Sequence, residues 1–91
     1  MRYRVSARFD RSLKRLDPAR KARVKDALDR LVAAFEMGQV VGGLGLKQVR
    51  PGLWELRVGL ADRVLFLRSG DLVEFLLAGN HDEIRRALRD L

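Results

Sequence analysis

The sequence predicts a single α+β domain: an N-terminal strand, two helices, an antiparallel β-meander and a short C-terminal helix. Three observations predict this fold. Between residues 46 and 79, short apolar segments are separated at regular intervals by turn residues, which is typical of consecutive antiparallel strands. Residues 17 to 38 carry apolar side chains at helical spacing instead. The 91 residues suffice for one domain, residues 1–91, with a thin core.

The first residues alternate strictly between apolar and polar side chains, which predicts a half-buried strand over residues 2 to 9. The apolar side of that strand would consist of Tyr3, Val5, Ala7 and Phe9. Its arginines are interpreted as the solvated side of an edge strand rather than as an RNA contact. Asp10 suits the N-cap of a short first helix that runs through Leu16.

A second, longer helix is predicted to begin at the dipeptide Asp17-Pro18, because Asp favours the N-cap and Pro the first helical position. Its apolar face consists of Val24, Leu28, Leu31 and Phe35. Gly38 suits the C-terminal end of this helix. The glycine-rich stretch Gln39 to Gly45 is expected to be a flexible connector, since no Gly-Lys-Ser/Thr sequence completes a phosphate-binding loop there.

The meander is the most strongly patterned part of the chain. A short strand from Leu44 to Val49 leads into it, and the last segment, Leu72 to Ala78, is apolar almost throughout. Such a segment suits a strand that is covered on both faces, near the middle of the meander. The turns between strands are predicted at Pro51-Gly52, Leu60-Ala61-Asp62 and Ser69-Gly70-Asp71.

Alternation within the meander assigns side chains to its two faces. Trp54, Leu56 and Val58 share the core face of one strand, and Glu55 and Arg57 occupy the other. In the next strand, the core face carries Val64 and Phe66, and the opposite face carries Arg63, Leu65 and Leu67. Because the two strands are antiparallel neighbours, cross-strand pairing is expected to bring the two arginines onto one face.

A capping box predicts the start of the last helix. Asn80 and Glu83 have the required spacing, with Asn as the N-cap and Glu three residues later. The apolar face of this helix would be formed by Ile84, Ala87, Leu88 and Leu91.

Composition limits the possible functions. The formal net charge is +7 and the isoelectric point is about 11.0, so an anionic partner is expected, either nucleic acid or an acidic protein. A charged, soluble surface in an arginine-rich proteome is the alternative interpretation. The chain has no cysteine and one histidine, which excludes disulfides, thiolate chemistry and zinc sites built on cysteine or histidine clusters. No apolar run is long enough for a signal peptide or a membrane span, so the protein is expected in the cytoplasm.

Four pieces of the sequence together resemble a known toxin superfamily. They are Lys47, Gly52-Leu53-Trp54-Glu55-Leu56-Arg57, Arg63-Val64-Leu65-Phe66 and Gly79-Asn80-His81. The pattern is similar to that of the RelE/ParE superfamily of bacterial and archaeal toxin–antitoxin pairs, and especially to its HigB-like branch. The resemblance covers nearly the whole chain and implies the toxin of a type II toxin–antitoxin system, silenced by an acidic antitoxin.

The resemblance implies more than one activity. RelE-like members cleave translated mRNA at the ribosome without a metal or a cofactor. ParE-like members inhibit DNA gyrase and cut no RNA, and a non-toxic, basic nucleic-acid-binding domain is a third possibility. Many ribonuclease members place a tyrosine near the chain end, whereas the only tyrosine here is Tyr3. This departure favours the gyrase-directed alternative, unless His81 or Lys47 replaces the missing group.

Metal-free RNA cleavage requires a base for the 2′-hydroxyl, stabilisation of charge on the phosphorus, and a proton for the leaving 5′-oxygen. The guanidinium groups of Arg57 and Arg63 suit the second task, and the less favoured interpretation is a pair of rim arginines matched by Glu55 and Glu74. Lys47 and His81 suit the proton steps, and these four residues are the predicted catalytic set. Predicted RNA-binding residues are Arg50, Arg85 and Arg86.

Overall fold

The computed structural model describes residues 1–38 and 45–91 and confirms the predicted α+β architecture. The connector predicted at Gln39–Gly45 lies outside the described residues, apart from Gly45. In chain order the elements are β1 (Arg2–Val5), α1 (Ala7–Arg15), α2 (Pro18–Glu36), β2 (Leu46–Arg50), β3 (Leu53–Val58), β4 (Asp62–Ser69), β5 (Leu72–Asn80) and α3 (His81–Arg89).

The five strands form one sheet in the order β1-β5-β4-β3-β2. The β2–β5 strands are the predicted antiparallel meander, while β1 pairs with β5 in parallel. The centre of the sheet is therefore β4. The prediction that the last strand lies near the middle of the meander is wrong: β5 is the end strand of the meander, and its outer edge is paired with β1. The lead-in strand begins at Leu46 and ends at Arg50, one residue beyond the predicted end at Val49.

The N-terminal strand is shorter than the alternation predicted, and the first helix begins earlier. The strand ends at Val5, and Ser6, not Asp10, is the N-cap of α1. The Ser6 hydroxyl accepts a hydrogen bond from the Phe9 amide (3.0 Å) and donates one to the Leu76 carbonyl (3.2 Å). This second bond ties the cap to the sheet. Asp10 lies instead in the first helical turn, where a negative charge is favourable.

Both faces of the sheet are buried, as the apolar last strand predicted. On one face, α1 and α2 cover a core that includes Val24, Leu31 and Phe66. On the other face, α3 covers a smaller core that includes Leu65 and Ile84. Among the described residues, no helix is long and apolar enough to cross a membrane.

A β-bulge at Leu76 changes which residues of β5 face each core. The register passes from Leu65 opposite Leu77 to Phe66 opposite Phe75, so one extra residue stands on β5. Phe75 therefore faces the larger core and Leu77 the smaller one. Without the bulge, strict alternation would place both on the same face.

Local capping signals in the second and third helices are confirmed. The Asp17 side chain accepts from the Arg20 amide at 2.9 Å, and the capping box of Asn80 and Glu83 is complete at both ends. Leu91 differs from the prediction: it is 61% exposed, because α3 ends at Arg89.

A mostly buried ion pair joins α2 to the start of β4. The Arg20 guanidinium donates to both carboxylate oxygens of Asp62, with Nη2 at 2.6 Å from Oδ1. Asp62 is only 3% exposed, and these hydrogen bonds raise the pKa of Arg20. Because Asp62 pairs with Val58 across the ladder, the ion pair holds the β3–β4 hairpin against the second helix.

We expect Asp62→Asn to lower the free energy of unfolding by about 2 kcal/mol, since it leaves a partly buried guanidinium without its counter-charge. Equilibrium urea unfolding measures this difference. The matched control is Asp71→Asn, which removes the carboxylate of a similar but fully exposed pair with Arg2 and should change stability far less. Equal effects of the two substitutions would contradict a special role for the Arg20–Asp62 pair.

Candidate active site

A cavity of about 340 Å³ opens on the α3 side of the sheet, between β2, β3, β4 and the first residue of α3. Its volume lies at the lower end of the range for small-ligand sites. It is lined by Gly45, Leu46, Lys47, Glu55, Arg57, Arg63 and His81. We call it the basic pocket. All four residues of the predicted catalytic set line it.

The two arginines of the basic pocket stand directly opposite each other. Arg57 on β3 and Arg63 on β4 are register partners in the antiparallel ladder, as the alternation predicted. Like charges in this position repel each other. An anion between them would relieve that repulsion, so the pair favours a bound phosphate or carboxylate.

Glu55 contacts one of these arginines and leaves the other without a counter-charge. Its Oε1 lies 2.7 Å from Nε of Arg63, and the two side chains are 15% and 16% exposed. The Nε–H bond does not point at the carboxylate, so the contact is an ion pair without a hydrogen bond. Glu74, the other predicted counter-ion, lies 4.0 Å from Arg4 instead. Arg57 has no acidic partner in the part of the chain that the structure describes.

The entry to β2 approaches Arg57 closely, and glycine makes this approach possible. The Gly45 carbonyl accepts from the Arg57 amide at 3.0 Å. Gly45 has a φ of +73°, and a Cβ built there would lie 3.0 Å from Cβ of Arg57. Any other residue would be strained in conformation, and its Cβ would crowd the side chain of Arg57.

Lys47 and His81 enter the basic pocket from opposite sides. Lys47 is exposed on β2 and is the register partner of Glu55. His81 is the exposed first residue of α3, placed by the Asn80 cap. The basic pocket thus combines phosphate-binding cations with groups that can exchange protons.

The predicted RNA-binding residues lie outside the basic pocket. The Arg50 guanidinium donates to the main-chain carbonyls of Leu88 (2.6 Å) and Leu91 (3.2 Å), so it satisfies acceptors at the end of α3. Arg85 and Arg86 lie on the outer side of α3, where they line an open cavity of about 470 Å³ together with Asp82 and Arg89.

A second basic surface, the α1–α3 groove, was missed by sequence reasoning. Its lining residues are Arg8, Arg11, Ser12, Arg15, Leu77, Glu83 and Arg86, around a volume of about 340 Å³. The α1 arginines recur at three- and four-residue spacing and thus share one helical face. That periodicity is visible in the sequence, but the predicted strand over residues 2 to 9 concealed it.

Neither of the two polar aromatic side chains lines the basic pocket. Trp54 is half-buried against the larger core, as its position in the strand predicted. Tyr3 lies on β1, at the opposite edge of the sheet from β2. Its hydroxyl donates to Oε1 of Glu36 at 2.6 Å, and burial together with this hydrogen bond raises the pKa of Tyr3 to about 12. Tyr3 therefore does not replace the tyrosine of the ribonuclease members. No cluster of three potential metal ligands occurs among the described residues.

Comparison with known proteins finds similarity of structure. No protein-family model matches the sequence, and no curated protein matches it. A chain of the RelB–RelE antitoxin–toxin complex from Methanococcus jannaschii superimposes with a TM-score of 0.72 at 16% identity, over 92% of this chain and 96% of that one. YafQ from Escherichia coli gives 0.65 at 13% identity, over 92% and 98%. A chain of the YoeB dimer from Staphylococcus aureus gives 0.65 at 13% identity, over 89% and 97%.

These superpositions extend over nearly the full length of both chains, and the similarity agrees with the resemblance in the strand motifs. The protein therefore has the fold of the RelE-like toxins.

Proposed function

We propose that this protein is the toxin of a type II toxin–antitoxin system, and that it acts in the cytoplasm as a metal-free endoribonuclease on ribosome-bound mRNA. The observation that carries the proposal is the basic pocket. Three strands and a helix N-terminus bring Lys47, Arg57, Arg63 and His81 into one concavity. The fold shared with RelE, YafQ and YoeB supports the toxin role.

In this proposal, Arg57 and Arg63 hold the scissile phosphate. Their guanidinium groups present several fixed donors, which match the oxygens of a phosphate and keep their charge at any physiological pH. Because the two arginines face each other before substrate arrives, little reorganisation is needed as negative charge develops on the phosphorus. Lys47 and His81 serve the proton transfers.

The arginines outside the basic pocket are proposed to bind RNA at a distance from the scissile bond. Arg85 and Arg86 on α3, together with the α1 side of the α1–α3 groove, form a broad exposed surface of guanidinium groups. Such a surface can follow phosphates without reading bases. Arg50 contributes to RNA binding in this proposal only through its charge, since its donors are committed to the end of α3.

An acidic antitoxin is proposed as the protein partner. The M. jannaschii structure is an antitoxin–toxin complex, and the E. coli DinJ–YafQ structures are complexes of the same kind. The basic pocket and the α1–α3 groove are complementary in charge to an acidic chain. An antitoxin that places carboxylates between Arg57 and Arg63 would occupy the position of the scissile phosphate and block cleavage.

The second candidate function is inhibition of DNA gyrase without RNA cleavage. One observation favours it: among the residues that the structure describes, no tyrosine lines the basic pocket. Intact mRNA together with blocked supercoiling by gyrase would select this function. If neither effect is found and expression does not arrest growth, a non-toxic nucleic-acid-binding domain remains.

We expect the purified protein to cut mRNA on translating ribosomes, and we expect Arg57→Ala and Arg63→Ala to slow cleavage on the order of 100-fold each, because each removes a preorganised charge at the phosphate. Primer extension on the mRNA measures the cut sites and their rate. The control is Arg30→Ala, which removes an exposed arginine paired with Asp26 on α2, outside the basic pocket. Cleavage that survives both pocket substitutions would contradict the assigned site.

We also expect RNA binding to weaken steeply with salt, since each phosphate contact releases counter-ions. For a single-stranded RNA with 2′-deoxy sugars at the cut site, which cannot be cleaved, Arg57→Ala should reduce the slope of log K against log salt by about 0.7. Fluorescence anisotropy across a salt series measures the slope, with Arg30→Ala as the control. An unchanged slope in Arg57→Ala would mean that this arginine does not contact a phosphate.

A further inference from the structure

We infer that Glu55 is the general base of the basic pocket and that its carboxylate takes the proton from the attacking 2′-hydroxyl. The inference rests on the proposed ribonuclease function and assigns the one proton step that requires an acceptor. The sequence suggested Glu55 only as a counter-ion for the arginines, and Lys47 or His81 for this step.

The first support is position. Glu55 is the only acidic residue that lines the basic pocket as the structure describes it, and every other charged residue there is a cation. Its register partner on the neighbouring strand β2 is Lys47, and on the other side it contacts Arg63 on β4. A phosphate held by Arg63 would therefore lie beside the carboxylate. The 2′-hydroxyl that attacks this phosphate belongs to the adjoining sugar.

The second support is the unused hydrogen-bonding capacity of the carboxylate. An ionised carboxylate can only accept hydrogen bonds. Glu55 is 15% exposed and lines the basic pocket, so its oxygens are open to a group that enters there. Its contact with Arg63 is not a hydrogen bond, and the buried Nε–H of Arg63 lacks an acceptor among the described residues. A buried donor without an acceptor is uncommon. The pair is thus incomplete in a way that RNA would complete: a hydroxyl donates to Glu55, and a phosphate oxygen accepts from Arg63.

The third support is the contrast with the other partly buried carboxylate pair. Asp62 accepts three hydrogen bonds from Arg20, so its oxygens are occupied and it holds the fold together. Glu55 has a similar partner at a similar distance, but in a geometry that leaves its oxygens open. If Glu55 had a purely structural role, its carboxylate would be expected to accept hydrogen bonds from its arginine, as the carboxylate of Asp62 does.

The resulting step balances. A Glu55 oxygen takes the proton of the 2′-hydroxyl, and the 2′-oxygen forms a bond to phosphorus. The bond between phosphorus and the 5′-oxygen breaks, and that oxygen takes a proton from the ammonium group of Lys47 or the imidazolium form of His81. The products are a 2′,3′-cyclic phosphate and a 5′-hydroxyl, with no change in oxidation state.

The test compares Glu55→Gln with the wild-type protein in single-turnover cleavage of ribosome-bound mRNA. Glutamine keeps the shape but cannot take a proton, so we expect the rate to fall about 100-fold. We expect the affinity for uncleavable 2′-deoxy RNA to stay within about threefold or to increase, because a negative charge leaves the phosphate site. The matched control is Glu74→Gln, a half-buried strand glutamate outside the basic pocket, which should cleave at the wild-type rate. Thermal unfolding of both variants verifies that they fold.

A substrate with sulfur in place of the leaving 5′-oxygen separates the base from the acid. Sulfur departs without a proton, so a variant that lacks the acid recovers its rate on this substrate, while Glu55→Gln should remain slow. Three outcomes for Glu55→Gln would each overturn the inference. They are recovery of its rate on the sulfur substrate, a cleavage rate of mRNA within threefold of wild type, and a loss of RNA affinity as large as the loss of rate. If Glu55→Gln fails to fold, Glu55→Asp should retain more activity on both substrates than Glu55→Ala, and equal activities would overturn the inference. Wild-type protein that cuts no RNA would overturn the proposed function and this inference with it.

Discussion

The burial of the sheet on both faces is the constraint on which the site depends. A strand with cores on both sides cannot shift its register by one residue, because every side chain would then exchange faces. Leu56 and Val64 occupy the larger core and Leu65 the smaller, so the β3–β4 register is fixed by packing. That register places Arg57 opposite Arg63. The packing of the apolar residues thus holds two cations next to each other, and an anion bound between them would relieve their repulsion.

The sequence was most informative where a signal is local. Asp17 and the Asn80–Glu83 box determine helix starts through contacts three residues away, and both are confirmed. Ser6 was not predicted as the N-cap of α1, because Asp is as common an N-cap residue as Ser. The start of the helix at Ser6 depends on the hydrogen bond that its hydroxyl donates to the Leu76 carbonyl on β5. The bulge on β5 was missed for the same reason, since only long-range pairing reveals it. The common face of the two arginines was predictable from alternation; the open geometry of Glu55 was not, because it depends on side-chain rotamers.

The excess of positive charge is distributed in two different environments. In the basic pocket, the ladder places Arg57 opposite Arg63, and Arg63 is only 16% exposed beside the carboxylate of Glu55. In the α1–α3 groove, the arginines are exposed on two helix faces and keep their rotameric freedom. In the proposed function, an enclosed charge such as that of Arg63 suits a reacting phosphate, whereas exposed, mobile charges suit a polyanion of variable shape. The net charge of +7 on 91 residues is thus divided between enclosed and exposed guanidinium groups.

The parallel pairing of β1 with β5 has a consequence for biosynthesis. Arg2 through Val5 can find their ladder partners only after residues 72 to 75 have been made, and the histidine of the basic pocket is encoded later still. Contacts between such distant parts of a chain form late, and a nascent chain acquires them only once both parts have left the exit tunnel. While it is being translated, a growing copy of this protein therefore lacks the assembled pocket until its last residues have emerged.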